Sequence, residues 1–188
     1  MRSFIAINLP EAVKREIDSI VERLLPVGPP ARWVPASNLH LTLKFLDEIS
    51  PDQVMPIRGA ITMASTTVQP FDIRLGGFGV IPNERKARVF WIGIESGFET
   101  MRNLAREIDR ATTPLGFPRE EREFSAHVTL ARFREPGPTG NLMKAALHEP
   151  YNSETFRVGS IELMKSVLSS KGAEYSILES VRLPPNTP

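Results

Sequence analysis

Two histidine–threonine pairs with the same spacing are the residues of this chain best suited to chemistry. The tetrapeptide His-x-Thr-Leu begins at His40 and again at His127, in a chain with only three histidines. Side chains alternate along a β-strand, so His40 shares one face with Thr42, and His127 shares one face with Thr129. Two imidazoles can act as acid and base near neutral pH, and each hydroxyl can donate a hydrogen bond to a phosphoryl oxygen. The pattern therefore predicts phosphodiester chemistry in a cleft.

The chain around the two motifs repeats weakly with one offset. The second histidine follows the first by 87 residues (127 − 40 = 87), and residues 4–7 match residues 91–94 at that offset. Residues 70–75 also resemble residues 155–160. An internal repeat predicts pseudo-two-fold packing that brings the histidines face to face. We therefore expect one bilobal domain over residues 1–188, with repeats at about 3–86 and 90–183.

The composition is typical of a globular protein. Of 188 residues, 41% are hydrophobic and 24% are charged. No apolar run approaches the roughly 20 residues that cross a bilayer. The apolar run at residues 4–7 is also too short for the core of a signal peptide. We expect a cytoplasmic protein with no membrane partner and no obligate protein partner.

Cysteine count and net charge restrict the possible partners. The chain has no cysteine, which excludes disulfides, thiolate nucleophiles and cysteine-based metal sites. Its net charge is only +1 (23 − 22), so any contact with nucleic acid should be short and local. Three histidines without metal-ligand spacing make a metallohydrolase improbable. We expect neither a metal nor a cofactor.

Hydrophobic periodicity and turn residues predict the elements that position the motifs. A first helix opens at Pro10, carries apolar side chains through Leu25 and ends at Pro26. A capping box at residues 50–53 starts a second helix that Pro56 should weaken, and two more helices are expected at 98–113 and 140–148. A proline-rich tail occupies residues 184–188. Strands are predicted near 3–8, 40–46, 71–76, 88–95, 125–133, 155–166 and 174–182.

Some of these strands are joined by hairpin-length connections and others by helices, so a purely parallel sheet is not expected. The fold class predicted is α+β. It consists of two pseudo-symmetric lobes, each a mainly antiparallel sheet with flanking helices, and the active-site cleft lies between them.

Several segments match a known family. They cover nearly the whole chain: residues 1–7, 32–35, 38–46, 71–75 and 127–132, with Ser166, Leu168, Gly172 and Tyr175. Through them the chain resembles the two-histidine phosphoesterases, specifically the bacterial and archaeal RNA 2′,3′-cyclic phosphodiesterases, also called 2′-5′ RNA ligases. It departs from the family where Ala126 replaces a frequent proline and where Met164-Lys165 replaces an aromatic-arginine pair. We expect Lys165 to alter a phosphate or base contact of the family.

The resemblance implies hydrolysis of RNA 2′,3′-cyclic phosphate ends to 2′-phosphate ends, with possible reverse 2′-5′ ligation. Chemistry alone leaves either histidine as acid or base. The resemblance implies His127 as proton acceptor and His40 as proton donor, with Thr42 and Thr129 on the non-bridging oxygens. It also places Arg132 near the phosphate. The partners implied are RNA ends or short oligonucleotides that carry a cyclic phosphate.

Four further side chains, three aromatic and one histidine, lie outside the two motifs. Trp33 and Phe124 lie just upstream of the motifs and could stack a terminal base, although core packing is the commoner role of such residues. Phe45 shares strand parity with Leu43, so we assign it to the core. The third histidine, His148, has no threonine beside it and is expected to have a structural or surface role.

The orientation of Arg132 and the identity of the substrate each have more than one interpretation. Arg132 shares parity with core residues of its strand, so it needs a bulge or a strand end to reach the phosphate. The same site would also serve a small cyclic or 2′-5′-linked nucleotide, which is the alternative substrate class. A noncatalytic module that binds RNA ends is a further alternative, but it would not need two titratable groups.

Overall fold

The structure, a computed structural model, describes residues 1–149, 151–170 and 172–185. Of the predicted tail, residues 186–188 lie outside this described part. Four α-helices are found there: α1 Glu11–Leu24, α2 Val54–Ser65, α3 Phe98–Thr112 and α4 Leu142–His148. Nine strands accompany them: β1 Arg2–Asn8, β2 Ala31–Trp33, β3 His40–Glu48, β4 Phe71–Ile81, β5 Ala87–Ser96, β6 Val128–Gly137, β7 Phe156–Val158, β8 Ser160–Ser169 and β9 Gly172–Arg182.

The helices follow their sequence signals closely. Helix α1 buries its apolar stripe and ends at Leu24, because Pro26 cannot continue a helix. Leu25 is 52% exposed in the 3₁₀ turn that follows, so its predicted place on the apolar stripe is wrong. The capping box is confirmed, and its Ser50 N–H donates to Gln53 Oε1 over 2.9 Å. Pro56 lies in the first turn of α2, where its missing N–H has no intrahelical acceptor to lose.

The strands form two antiparallel sheets, which confirms the predicted α+β class. One sheet has the order β3-β1-β8-β9, and the other has the order β2-β6-β5-β4-β7. Neither sheet is built from one half of the chain. Strand β4 of the first half pairs with β5 of the second, and β8 of the second half pairs with β1 of the first.

The segment predicted as one strand near 155–166 is two strands. Strand β7 pairs with β4, whereas β8 pairs with β1 and β9 of the other sheet. Phe156 and Val158 are buried before Gly159, and Ile161 and Leu163 after it, so the alternation changes phase at the glycine. This change of phase is where the chain passes between the sheets.

Most buried apolar side chains form one cluster that joins both sheets to the helices. A second, smaller cluster of Phe4, Ala6 and Met164, with Tyr175 packed against it, lies on the opposite face of the four-stranded sheet. His40 contacts Phe4 and Tyr175, so this face also carries the first motif. This face of the four-stranded sheet and the face of the five-stranded sheet beside His127 are together called the cleft face.

Each motif strand contains a β-bulge at the same place in the repeat. The β1–β3 register passes from Thr42 to Lys44, and the β5–β6 register passes from Thr129 to Ala131. The skipped residues are Leu43 and, 87 positions later, Leu130 (130 − 43 = 87). A bulge shifts the side-chain alternation that follows it by one residue.

The bulges change two assignments made from strand parity. Phe45 is 63% exposed and its ring lies 6.2 Å from that of Phe4, so its predicted packing with Leu43 is wrong. Arg132 is exposed while Leu130 and Ala131 are both buried, so the bulge that this arginine requires is present. The second motif strand begins at Val128 rather than near 125, and His127 immediately precedes it.

A buried ion pair fixes β3 to α3 behind the first motif. Lys44 Nζ donates to the Asp109 carboxylate and, over 2.8 Å, to the carbonyl oxygen of Pro118. Burial acts to raise the pKa of Asp109, but the hydrogen bonds from Lys44 and from the N–H of Glu120 outweigh it and lower that pKa below 3.8. The charge is therefore retained and satisfied inside the protein.

Candidate active site

His40, the first residue of β3, is held by hydrogen bonds at both ring nitrogens. Its Nδ1 lies 2.6 Å from the carbonyl oxygen of Asn38, and its Nε2 lies 3.0 Å from Thr42 Oγ1. A carbonyl oxygen can only accept, so Nδ1 carries a proton in both the neutral and the charged ring. Nε2 is therefore the nitrogen that can exchange a proton with a substrate.

His127 is held in the same way at the start of β6. Its Nδ1–H donates to the carbonyl oxygen of Ser125 over 2.9 Å. In both motifs the acceptor belongs to the residue two positions before the histidine. The described residues provide no hydrogen-bond partner for Nε2 of His127, so this nitrogen is available to a ligand. The repeated bond gives both imidazoles the same tautomer.

An aromatic ring from the neighbouring strand packs on each histidine. The ring centroids of Phe4 and His40 are 4.8 Å apart, and those of Trp91 and His127 are 5.9 Å apart. Each aromatic residue precedes its histidine by 36 positions (40 − 4 and 127 − 91). Tyr175 adds an edge-to-face contact to His40 at 5.3 Å. Sequence reasoning aligned Phe4 with Trp91 but missed these contacts, although the shared spacing was a usable signal.

Two glycines make room for the Trp91 indole. A Cβ atom on Gly79 would lie 2.2 Å from Trp91 Cζ2, and one on Gly93 would lie 3.1 Å from Cζ3. The ring therefore crosses glycine backbone on β4 and β5 beside His127. A pocket of about 330 Å³ opens here, lined among others by Trp91, Phe78 and Ala126.

Burial and positive charge lower the pKa of both histidines below 6.5. For His40, burial has the largest effect, and the charges of Arg132, Lys14 and His127 lower the pKa further against the opposing bond to Asn38. For His127, burial again comes first and Arg132 adds to it. One arginine thus acts on both imidazoles, and His127 acts on His40. The two motifs therefore share one electrostatic environment.

The two threonines and Arg132 lie on the strands of the motifs. Thr42 and Thr129 are half-buried, and their backbone partners on the neighbouring strands are Ala6 and Trp91. Arg132 is exposed and pairs across the sheet with Val89. Hydroxyl and guanidinium donors near two imidazoles suit a phosphoryl group, whose oxygens are acceptors.

The other predicted contact residues pack against rings other than the two imidazoles. Trp33 packs edge-to-face on Phe90 at 6.0 Å, and Phe124 stacks on Phe98 at 6.2 Å. Both rings also pack against the main core, and their role in base binding stays a prediction. Lys165 follows Met164 on β8, so alternation turns it away from the cleft face. His148 is exposed at the end of α4.

The described residues contain neither a metal-binding cluster nor a membrane-spanning helix. Within residues 1–149, 151–170 and 172–185, no group of three or more His, Cys, Asp or Glu side chains is arranged to hold a metal ion. Over the same ranges, no helix has the length and apolar character to cross a membrane.

The sequence and the fold match known proteins over nearly the whole chain. A family model described as LigT like Phosphoesterase matches twice, at residues 7–91 and 92–175. A relative from Methanothermobacter thermautotrophicus named RNA 2′,3′-cyclic phosphodiesterase is 31% identical over 185 residues, which are 97% of this chain and 99% of the relative. A crystal structure from Thermus thermophilus has a TM-score of 0.78 at 28% identity and covers 100% of both chains. The structure of E. coli LigT with 3′-AMP has a TM-score of 0.71 at 25% identity over 97% of each chain. The protein therefore belongs to the LigT-like phosphoesterase family.

Proposed function

We propose that this enzyme hydrolyses RNA 2′,3′-cyclic phosphate ends to 2′-phosphate ends by acid–base catalysis between His40 and His127. The observation that carries the proposal is the repeated bond from each Nδ1 to a backbone carbonyl, which leaves one exchangeable nitrogen on each ring. Relatives about 30% identical over nearly their full length are named RNA 2′,3′-cyclic phosphodiesterases. The activity for which these relatives are named is therefore one that two imidazoles can catalyse as acid and base.

The proposed reaction is an in-line displacement at phosphorus. Nε2 of His127 takes a proton from water while the water oxygen forms a bond to phosphorus. The bond from phosphorus to the ribose 3′ oxygen breaks, and His40 Nε2 donates a proton to that oxygen. Phosphate remains on the 2′ oxygen, and a net proton transfer between the rings through solvent resets the site.

Hydrogen-bond donors stabilise the charge that develops on the phosphoryl oxygens. We assign this role to the hydroxyls of Thr42 and Thr129 and to the guanidinium of Arg132. Bonds of this kind to a charged acceptor are stronger than neutral ones, and they are effective where water is partly excluded. The choice of His127 as base follows the family resemblance, and its unbonded Nε2 supports that choice.

The proposal includes one bilobal domain with repeats at about 3–86 and 90–183. The family model matches the chain twice, and the bulges and the histidine–aromatic contacts recur at one offset. Each sheet also contains strands from both halves, so neither half has a complete sheet of its own.

The proposed substrates are RNA ends or short oligonucleotides with a cyclic phosphate, met in the cytoplasm. The reverse reaction would join such an end to a 5′-hydroxyl through a 2′-5′ linkage. It would need no nucleotide cofactor, because the strained cyclic phosphate already holds the bond energy.

Incubation of the protein with a short RNA ending in a 2′,3′-cyclic phosphate tests this proposal. We expect a product with a 2′-phosphate end that a 3′-specific phosphomonoesterase leaves intact, at the same rate with and without a chelator. The double variant His40→Ala/His127→Ala, prepared in parallel, controls for contaminating nucleases. A 3′-phosphate product would invert the roles of the histidines, and an unchanged RNA would refute the activity.

A further inference from the structure

Two arginines lie directly opposite each other on neighbouring strands of the five-stranded sheet. Arg32 of β2 is the register partner of Arg132 of β6. Opposed residues of an antiparallel pair point to the same face, with Cβ atoms about 5 Å apart. Both arginines are exposed. Their neighbours Trp33 and Ala131 pack on the core side, so the two guanidinium groups share the cleft face.

No ion pair among the described residues neutralises the charges of these two arginines. Like charges directly opposite each other destabilise a sheet. The ion pairs found among the described residues involve arginines 23, 58, 74, 102, 110, 119 and 157, and none of them includes Arg32 or Arg132. A bound anion would remove the repulsion. Guanidinium groups suit phosphate in particular because their planar donors match its oxygens.

Arg132 lies on the strand that follows His127, and Arg32 lies on the next strand, at the edge of the sheet. The charge of Arg132 acts on both His40 and His127, and Arg32 is the partner of Arg132 on the neighbouring strand β2. Arg32 lies one strand further out, and neighbouring strands are about 4.8 Å apart. Arg132 can therefore reach the reacting phosphate, and Arg32 can reach a second phosphate of the same ligand.

We propose that Arg32 binds the phosphodiester on the 5′ side of the nucleoside that carries the cyclic phosphate. This inference rests on the proposed function, and it assigns the substrate class more narrowly. The enzyme acts on the end of an oligonucleotide, or on a 5′-phosphorylated nucleotide, in preference to a nucleoside 2′,3′-cyclic phosphate that lacks the second phosphate. Arg32 is a specificity determinant rather than a catalytic residue.

Four substrates and one substitution test the contact. The substrates are a nucleoside 2′,3′-cyclic phosphate, its 5′-phosphorylated form, a dinucleotide with the same end, and that dinucleotide with a neutral methylphosphonate linkage. For the wild type we expect kcat/KM to be about tenfold higher when the second phosphate is charged, as expected for a hydrogen bond to a charged group. In Arg32→Gln this ratio should fall close to one.

Salt dependence gives a second readout of the same contact. The slope of log affinity against log salt changes by about 0.7 for each phosphate contact on a single strand. We expect Arg32→Gln to reduce the slope for the charged dinucleotide by that amount. Arg106→Gln, which removes an exposed arginine from the outer surface of α3, is the matched control, and Arg32→Lys should retain part of the preference.

The outcomes separate this inference from the proposed function. An equal loss on all four substrates would give Arg32 a structural role and overturn the inference, and so would an unchanged ratio in Arg32→Gln. Calorimetric binding of the four nucleotides to His127→Ala measures the contact without turnover. If the wild type hydrolyses none of the substrates but Arg32 still discriminates the charged linkage in binding, only the proposed activity fails.

Discussion

At the scale of single residues, the site depends on which nitrogen of each imidazole is available. A backbone carbonyl two residues upstream accepts the Nδ1 proton of both His40 and His127. A fixed acceptor of this kind orients the ring and sets its tautomer. Neither ring needs a carboxylate partner for this, which leaves the local charge positive and suited to a phosphate.

Removal of either imidazole should abolish most of the activity and leave the fold intact. A general acid or base contributes roughly 10²–10⁴-fold to a rate, so we expect losses in this range for His40→Ala and for His127→Ala. The measurement is kcat/KM on the cyclic-phosphate RNA, with thermal unfolding as the test of folding. His148→Ala is the control, because that histidine is exposed at the end of α4. A loss of only a few-fold in both variants would contradict the paired-histidine mechanism.

The pH dependence of kcat/KM should be bell-shaped and displaced to low pH. The fraction of neutral base rises with pH and the fraction of protonated acid falls, and the pKa of both groups lies below 6.5 in the free enzyme. The optimum should therefore lie on the acid side of 6.5.

Arg132→Gln tests whether the charge of Arg132 contributes to the low pH optimum. The arginine lowers the pKa of both histidines, so its removal should move both limbs of the profile to higher pH. Arg106→Gln on the outer surface of α3 should leave the profile in place. If Arg132→Gln keeps both limbs at their original pH, the arginine does not act on the histidines in solution.

At the scale of elements, the bulges decide which side chains face the cleft. In an unbroken strand Arg132 would point into the core with Val128 and Leu130. The bulge at Leu130 buries Leu130 and Ala131 in succession and returns Arg132 to the face of Thr129. The equivalent bulge at Leu43 exposes Phe45 at the corresponding position of the other sheet.

The close contact between the Trp91 indole and the backbone of Gly79 can be tested by substitution, because this indole packs on His127. Gly79→Ala places a Cβ atom within the indole, so we expect it to destabilise the fold by about 1–3 kcal/mol and to move the ring away from His127. Activity should fall with it, and near-ultraviolet circular dichroism should report the moved indole. Gly59→Ala, in the exposed face of α2 with open space around it, should instead stabilise by roughly 0.5–1 kcal/mol. Equal effects of the two substitutions would contradict the close contact.

At the scale of the whole molecule, the exchange of strands ties the halves together. Strand β4 completes the sheet that carries the second motif, and β8 completes the sheet that carries the first. One buried apolar cluster includes side chains from both sheets. Neither half can therefore bury its apolar surface without the other.

This arrangement should unfold as one unit. We expect a single thermal transition in which the calorimetric and van't Hoff enthalpies agree, and in which fluorescence and circular dichroism coincide. Two separated transitions would show that the lobes are independently stable and would contradict the single-domain proposal.

Local sequence patterns are sufficient to predict the candidate site residues and most of the helices and strands. The spacing of His40 and Thr42, repeated at His127 and Thr129, follows from strand alternation, which is a local property. The helices and the α+β class also follow from local periodicity and from prolines that end or cap helices.

The pairing of those strands and the position of each bulge depend on tertiary contacts. Register depends on contacts between residues far apart in the chain, and a bulge is visible only when the partner strand is known. Strand alternation alone therefore places Phe45 in the core and predicts one strand near 155–166, and both predictions are wrong. The opposition of Arg32 and Arg132, 100 residues apart in sequence (132 − 32 = 100), has the same origin. No local pattern links the two arginines, and only the pairing of β2 with β6 brings their charges together.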